Sequence, residues 1–208
     1  MNMSRGFRFN TRALILLCAL LVSISCTYRF KAPTEFSLPS NKTKIIPLRA
    51  ALLIGSGYRN LTIDHSDWVA PYPIDYAIGD SFIIGSKKIS EILFRDVVVY
   101  ETMKAGTELP GIDVIVIPSI MEGKFYAASR KLLVARIEVK WTILDTNRKE
   151  IYVKTFVGEA TGKMKPFRDQ HKELGRLMNT AVLEVYTKAF EGLSSVEWWK
   201  DIIKLENR

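Results

Sequence analysis

The sequence predicts an α+β fold: a mostly antiparallel sheet of four to six strands, with two main helices packed on one face and a short C-terminal helix. The first observation is a strict alternation of apolar and polar residues over 130–144. Such alternation indicates a strand with one buried and one wet face, so helices cover one side only. The second observation is a pair of apolar stripes at helical spacing, over 78–94 and 166–190.

Residues 1–25 have the layout of a secretory signal. A basic stretch precedes an unbroken apolar run from Ala13 to Val22, and small residues follow. The run is shorter than the roughly 20 apolar residues that a membrane-spanning helix needs. The basic residues are Arg5, Arg8 and Arg12. We therefore expect an export signal that is removed from the mature chain.

The two cysteines, Cys18 and Cys26, bear on the fate of that signal. Cys18 lies in the apolar run and would leave with it, so Cys26 would be the sole thiol of the mature chain. A single thiol cannot form an intramolecular disulfide, and a free thiol in an oxidising compartment requires an explanation.

Around Cys26 the chain resembles a bacterial lipoprotein precursor, in which signal cleavage leaves a lipidated cysteine as the first residue. Ser25 and Ile24 agree with the family pattern, whereas Ser23 stands where the family has leucine. The resemblance implies a lipid on Cys26, and Thr27 after it implies the outer membrane. Because Ser23 and Ser25 also suit ordinary signal peptidase, a soluble periplasmic product and an uncleaved anchor stay open.

Composition limits the remaining possibilities. Without residues 1–25 the chain keeps 183 residues, which suits one domain, and its formal charge falls from +8 to +5. This mild basicity suits an anionic membrane surface or a polyanionic glycan, as well as ordinary solubility. No basic cluster is interleaved with aromatics, so we expect no nucleic-acid partner. Residues 26–47 hold three prolines and predict a lipidated N-terminus and flexible tether; 48–208 form the domain.

The domain opens with a strand and a loop. Leu48–Ile54 is a short apolar run ended by Gly55-Ser56-Gly57, which indicates a buried strand. The glycines lack the third glycine and the following helix of a phosphate-binding loop. Residues 58–63 are strand-like, and 64–75 form a long polar loop.

Residues 78–94 predict an amphipathic helix of about four turns, followed by a short strand at 96–100. Its apolar face comprises Ile78, Phe82, Gly85, Ile89, Ile92 and Leu93. Gly79 and Gly85 each weaken a helix by about 1 kcal/mol relative to alanine. Tertiary packing therefore has to hold this helix in place.

The centre of the sheet follows a turn at 106–111. Asp113–Ile117 is apolar on both faces, as in a central strand. Pro118 cannot donate to a ladder, so we expect a bulge or strand end there, with the strand resuming to about Tyr126. The alternating strand of residues 130–144 comes next.

Residues 145–149 predict a turn, and 150–162 the partner strand that completes a hairpin. The long helix 166–190 follows, with Pro166 suited to its first turn. Ser194-x-x-Glu197 is a capping box, which predicts a last short helix over 195–205.

Candidate catalytic and metal-binding residues are few. The chain has two histidines, and each lies near carboxylates that metal sites also use. The two groups are Asp64, His65 and Asp67, and Asp169, His171 and Glu173. Neither has cysteine nearby, so both are interpreted as solvated surface residues. No Gly-x-Ser-x-Gly elbow supports a nucleophile, and Glu122, Glu138 and Glu159 form no isolated carboxylate pair. We therefore expect no enzyme, metal or cofactor.

Two surfaces are candidates for contact with other molecules. Trp198 and Trp199, with lysines nearby, suit either a membrane or partner contact or packing on the domain. The wet sheet face carries Arg136 and Lys140, which are candidate partner contacts. Exposed strand edges also accept added strands from partners.

The order of elements resembles the small α/β domains of bacterial envelope lipoproteins. Similar proteins are the auxiliary lipoproteins of lipid-transporting ABC systems and the lipoprotein that assists lipopolysaccharide assembly. The residues that carry the resemblance are 50–54, the helix end Leu93-Phe94, the hairpin 141–158 and the helix 166–190.

The resemblance implies a non-enzymatic accessory or scaffold subunit of a transport or envelope-assembly complex, facing the periplasm from the outer membrane. A periplasmic binding module for a glycan or lipid headgroup is the alternative, and an exported hydrolase the third.

Overall fold

The computed structural model describes residues 27–38, 46–65, 74–104, 107–166, 169–195, 198–200 and 202, without the side chains of residues 64 and 65. The strands are β1 (Tyr28–Lys31), β2 (Ile46–Leu53), β3 (Thr62–His65), β4 (Ile74–Ala77), β5 (Phe94–Tyr100), β6 (Val114–Ser129), β7 (Leu132–Asp145) and β8 (Glu150–Lys163). The helices are α1 (Gly79–Leu93) and α2 (Gln170–Ser195), and a 3-10 helix spans Ser56–Asn60.

The strands form two mixed sheets, so the prediction of one mostly antiparallel sheet is wrong. The larger sheet has the order β5-β2-β6-β7-β8, and the smaller one β1-β4-β3. In the larger sheet β2 runs parallel to both β5 and β6, and the rest is antiparallel. In the smaller sheet β1 is parallel and β3 antiparallel to β4.

The parallel part follows from the crossover between β2 and β5. That connection contains α1, and a chain that crosses over a sheet through a helix returns in the same direction. Ala50, Ala51 and Leu52 of β2 are completely buried, as a strand covered on both faces requires. The alternation in β7 indicates which side chains of β7 are buried and that its hairpin partners are antiparallel. It could not predict the direction of β2.

The hairpin predicted around residues 145–149 is confirmed. The Lys149 N–H donates to the Asp145 carboxylate at 2.8 Å, and Arg148 adopts a positive φ of 65° in the turn. Pro118 lies inside β6 opposite Trp141 and does not end the strand, but the pairing of β6 with β7 shifts register between Ile120 and Glu122, close to the expected bulge. Because β2 pairs with β6 only as far as Val116, a residue without an N–H is tolerated there.

Both predicted main helices are present. The predicted stripe of α2 is buried in full: Leu174, Leu177, Met178, Ala181, Val182, Val185, Tyr186 and Ala189. Helix α2 begins at Gln170 and continues to Ser195. The Ser194 and Ser195 hydroxyls donate to carbonyls three residues back, as residues within a last helical turn do. Ser194 therefore does not begin a new helix, and Glu197, the other residue of the predicted capping box, lies outside the described residues. Residues 199, 200 and 202 are helical, and the rest of the predicted helix 195–205 lies outside the described residues.

The two glycines of α1 lie where neighbouring groups approach the helix closely. A Cβ on Gly79 would lie 1.8 Å from the Tyr58 carbonyl oxygen, and one on Gly85 2.7 Å from the Tyr186 ring. Only glycine leaves room for these neighbours, so α1 needs both glycines although they weaken a helix. The close packing against Tyr58 and Tyr186 holds the helix in place.

Two buried tyrosines join the elements beneath the smaller sheet. The Tyr76 hydroxyl donates to Asn179 Oδ1 at 2.5 Å, and the Tyr186 hydroxyl lies 3.4 Å from Ser81 Oγ. Burial raises the pKa of both tyrosines well above the ordinary value near 10, since a phenolate would be desolvated.

Alkaline pH should therefore destabilise the fold. The unfolded state releases these protons above about pH 10 while the folded state retains them, so stability is full below pH 10 and falls as pH rises. The expected slope is about 1.4 kcal/mol per pH unit for each tyrosine. Urea unfolding between pH 8 and 11 measures it. Tyr186→Phe should make the decline shallower than in the wild type, because it removes one buried phenol; an unchanged slope would contradict the assignment.

Candidate functional sites at the N-terminal strand and on the outer sheet face

The N-terminal strand β1 is attached to the domain immediately after Cys26, which itself lies outside the described residues. The Tyr28 ring stacks on His171 with 3.9 Å between ring centroids. Phe30 occupies the space above Gly175, where a Cβ would lie 2.7 Å from its ring. The backbone of β1 pairs with β4 in parallel. The chain is therefore held against α2 from the second residue after Cys26.

The segment after β1 also packs on the domain. The Ser81 hydroxyl donates to the Pro33 carbonyl at 2.6 Å, and Lys88 Nζ donates to the Phe36 carbonyl at 2.5 Å. Lys88 Nζ also lies 5.0 Å from the centroid of the Phe36 ring. The expectation of a free tether over 26–47 is wrong for residues 28–38, because four apolar side chains anchor them. These are Tyr28, Phe30, Phe36 and Leu38. Residues 39–45 lie outside the described residues.

A basic cleft adjoins β1. It has a volume of about 310 Å³ and includes Arg29, Lys31 and Arg59 in its lining. Arg29 Nε lies 3.4 Å from an Asp75 carboxylate oxygen, and Arg59 Nη2 lies 2.9 Å from Glu101 Oε1. These pairs are exposed to water and contribute little to stability, so the cations are available to an anionic ligand.

The outer face of the larger sheet, the face directed away from the helices, carries the predicted Arg136 and Lys140. Arg136 bonds Glu138 Oε1 at 2.5 Å and Glu159 Oε2 at 3.3 Å. The hydrogen bonds to Glu138 raise the pKa of the guanidinium above its ordinary value. Lys140 lies on the same face, partly exposed, between Ser119 and the neighbouring strand β8. Arg136 and Lys140 thus lie on the same partly exposed face of β7, as the alternation predicts.

Apolar residues accompany these charges. Val153 is 42% exposed in β8 opposite Thr142, on the outer face. Near β5, the outer face carries a buried apolar cluster formed by Ala51, Ile112 and Ile115. Met103 and Leu109, from the segment between β5 and β6, pack against this cluster. The uncovered part of the outer face therefore lies over β6, β7 and β8.

The two edges of the larger sheet differ. On β8, the Glu159 N–H donates to Glu184 at 2.7 Å and Lys188 donates to the Val157 carbonyl at 3.0 Å. These α2 side chains cap the edge where another strand would pair. At the opposite edge β5 pairs only with β2 among the described strands.

The tryptophan pair packs on the domain side. The Trp198 ring lies between Phe94 and Tyr152, at centroid distances of 6.2 and 6.1 Å. Trp199 also packs against the core, and both side chains are half-buried. Contact of this pair with a membrane or a partner stays a prediction.

The histidine groups are not assembled as metal sites within the described part of the chain. No group of three or more His, Cys, Asp or Glu residues lies close enough there to hold a metal ion. His171 contacts aromatic rings, and Glu173 accepts hydrogen bonds from Arg176 that lower its pKa. The side chains of Asp64, His65 and Asp67 lie outside the described residues. None of the described helices is long and apolar enough to cross a membrane.

Sequence reasoning missed the N-terminal strand, the basic cleft and the side chains that cap β8. The alternation of Tyr28 and Phe30 was the available signal for β1. No sequence signal indicated the basic cleft or the side chains that cap β8, because the residues of each come from separate parts of the chain.

Comparison with known proteins supports the fold. No protein-family model and no curated protein matches the chain. A DUF330 protein from Xanthomonas campestris, known from its crystal structure, aligns with a TM-score of 0.52 at 10% identity, over 82% of this chain and 95% of that one. A minor lipoprotein from Acinetobacter baumannii aligns with a TM-score of 0.40 at 7% identity, over 73% and 94%. The chain therefore shares its fold with the DUF330 structure.

Proposed function

We propose that this chain is a lipid-anchored protein of the bacterial cell envelope, attached through Cys26 to the outer membrane and facing the periplasm. In this proposal it is a non-enzymatic accessory or scaffold subunit of a transport or envelope-assembly complex. The observation that carries the proposal is the docking of β1 on α2, directly after the only cysteine left when the signal is removed.

This docking sets the distance between domain and membrane. Tyr28 is the second residue after Cys26, so their Cα positions lie at most about 7 Å apart. A free tether of the predicted length would instead reach on the order of 70 Å. A lipid on Cys26 would thus hold the domain at the headgroups. Arg29 and Lys31 then lie close enough to gain about 1 kcal/mol each from an anionic surface.

The outer sheet face supplies the partner surface in this proposal. On the opposite face, among the described residues, α1 and α2 pack against the sheet. The outer face presents Arg136 with its carboxylates, Lys140 and the exposed Val153. Such a mixture of fixed charges with exposed apolar area suits a protein partner, because the charges set specificity and the apolar part supplies affinity.

Replacing Cys26 tests the anchor. Cells expressing the full chain are fed an alkyne-tagged fatty acid, and incorporation into the purified protein is measured. We expect the wild type to be labelled and Cys26→Ala to lose the label completely, because Cys26 is the residue that carries the lipid in this proposal. Cys18→Ala is the matched control, since its cysteine leaves with the signal. Unchanged labelling of Cys26→Ala would refute the anchor.

A photo-crosslinking amino acid tests the partner surface. Placed at Lys140 in the full chain, it should form discrete covalent adducts in cells, whereas the same group at Leu183 should not. Leu183 is 38% exposed, in α2. Adducts in equal amounts from both positions would count against the outer face as the partner surface.

The basic cleft favours a second candidate, a binding module for an anionic lipid headgroup or glycan. Its three cations line one concavity beside the anchor. In that case purified Cys26→Ala protein would sediment with phosphatidylglycerol vesicles but not with phosphatidylcholine vesicles, and Arg59→Glu would abolish the difference.

A further inference from the structure

Among the described residues, strand β5 has one edge with no strand beside it, and this edge is suited to pairing with another strand. Its sequence, Phe94–Tyr100, contains three consecutive valines and neither proline nor lysine. Val99 is 42% exposed, and β5 is the last strand at its end of the described sheet. Natural sheets usually protect such an edge with charges, bulges or a covering element. The opposite edge strand, β8, has that protection from Glu184 and Lys188.

The backbone groups of β5 show which residues are free to pair. The Ile54 N–H donates to the Tyr100 carbonyl at 3.0 Å, so the polar groups of Tyr100 point towards β2. Backbone direction alternates along a strand. The N–H and C=O groups of Val97 and Val99 therefore point away from the sheet.

We infer that β5 pairs with β5 of a second copy of this chain, antiparallel and about a two-fold axis at Val98. In this register Val97 of each copy exchanges two backbone hydrogen bonds with Val99 of the other. The same register places Arg95 opposite Glu101 twice, once on each side of the axis. Their side chains are 58% and 59% exposed.

Charge complementarity selects this register among the possible ones. When two copies of one strand pair antiparallel about a two-fold axis, the residue at the axis lies opposite the same residue of the other copy. In the neighbouring registers that residue is Val97 or Val99 instead of Val98. Either shift moves Arg95 and Glu101 apart and loses both ion pairs. Cross-strand pairs of opposite charge stabilise a sheet, whereas like charges opposite each other destabilise it.

The second copy is favoured over an open chain of subunits. Pairing of β5 with β8 of the next molecule would be head-to-tail and would continue without limit, but α2 side chains already cap β8. Pairing of β5 with itself is closed after two copies. It makes one ten-stranded sheet whose two outer faces lie on the same side.

Disulfide cross-linking of the full chain in cells tests this inference. At the axis the two Val98 positions form a non-hydrogen-bonded pair, whose Cα atoms lie about 4.5 Å apart, within the range of a disulfide. Val98→Cys should give a cross-linked dimer on mild oxidation. Val153→Cys in β8 is the control and should give no more cross-linked dimer than the wild type. Equal cross-linking of the two variants would overturn the inference.

Charge reversal tests the register. In the Val98→Cys background, Arg95→Glu and Glu101→Arg should each reduce the cross-linked fraction severalfold, because each sets like charges opposite each other twice. The double variant should restore it. Glu101 also pairs with Arg59 within its own subunit, so Arg59→Ala should leave cross-linking unchanged. Failure of the double variant to restore cross-linking would overturn the register, and so would a loss in Arg59→Ala.

Discussion

Replacing Gly158 with alanine is expected to lower the free energy of unfolding by about 3 kcal/mol. Gly158 lies in β8 opposite Ile137, on the face of the sheet that α2 covers. A Cβ there would lie 1.9 Å from the Ala181 carbonyl oxygen and 2.8 Å from the Val185 nitrogen. Both atoms belong to the helix backbone, which cannot turn aside as a side chain can. The substitution therefore forces the turn of α2 around Ala181 and Val185 away from the sheet.

Two other glycines provide matched controls for urea unfolding of the same protein. Gly85→Ala meets the Tyr186 ring, a side chain, so its loss should be smaller. Gly55→Ala meets nothing within 4 Å and has a φ of −63°, which alanine adopts freely. It should be neutral or slightly stabilising, through the entropy of the unfolded chain. A loss at Gly158 no larger than that at Gly55 would show that α2 does not lie so close to β8.

Truncation of Trp141 to alanine is expected to cost about 3–5 kcal/mol. Trp141 is the largest fully buried side chain among the described residues and lies in the middle of β7, the strand between β6 and β8. Its removal leaves a cavity that the rigid sheet cannot close, so the loss includes both the burial and the cavity contribution. Thermal and urea unfolding measure the effect.

Trp141→Phe separates the effect of lost side-chain volume from the effect of the buried indole N–H. The indole Nε1 is buried without a hydrogen-bond partner among the described residues. Phenylalanine keeps most of the apolar volume and removes that unpaired donor. Its loss should be well under half that of Trp141→Ala, and a phenylalanine variant as unstable as the alanine variant would show that Nε1 has a bonding partner.

Local patterns predicted the elements that are long and periodic. The stripe of α2 and the alternation of β7 each repeat over several periods, so both elements and the hairpin after β7 could be predicted with their neighbours unknown. The same alternation placed Arg136 and Lys140 on one exposed face. These features depend on the period of a helix or strand alone.

Short elements and the direction of strands could not be predicted in this way. β1 and β4 have four residues each, so an alternation such as that of Tyr28 and Phe30 is too short to indicate a strand by itself. Contacts to His171 and Gly175 in α2 hold β1 in place. The direction of β2 relative to β5 depends on the route of the connection between them. Ser194 was predicted to begin a new helix but lies in the last turn of α2, because a serine hydroxyl bonds equally well to helix carbonyls and to N-terminal amides.

The sequence by itself determined the periodic elements, the buried stripe of each helix and the basic–apolar–cysteine arrangement that predicts export and an anchor on Cys26. Only the tertiary structure decided that residues 28–38 join the domain, that β8 is capped, and that β5 is an edge strand among the described strands. It also decided that Arg29, Lys31 and Arg59 line one cleft. The physical reason is the range of the interactions. Periodicity and signal layout are properties of neighbouring residues, whereas edges, clefts and docking contacts join residues far apart in the chain.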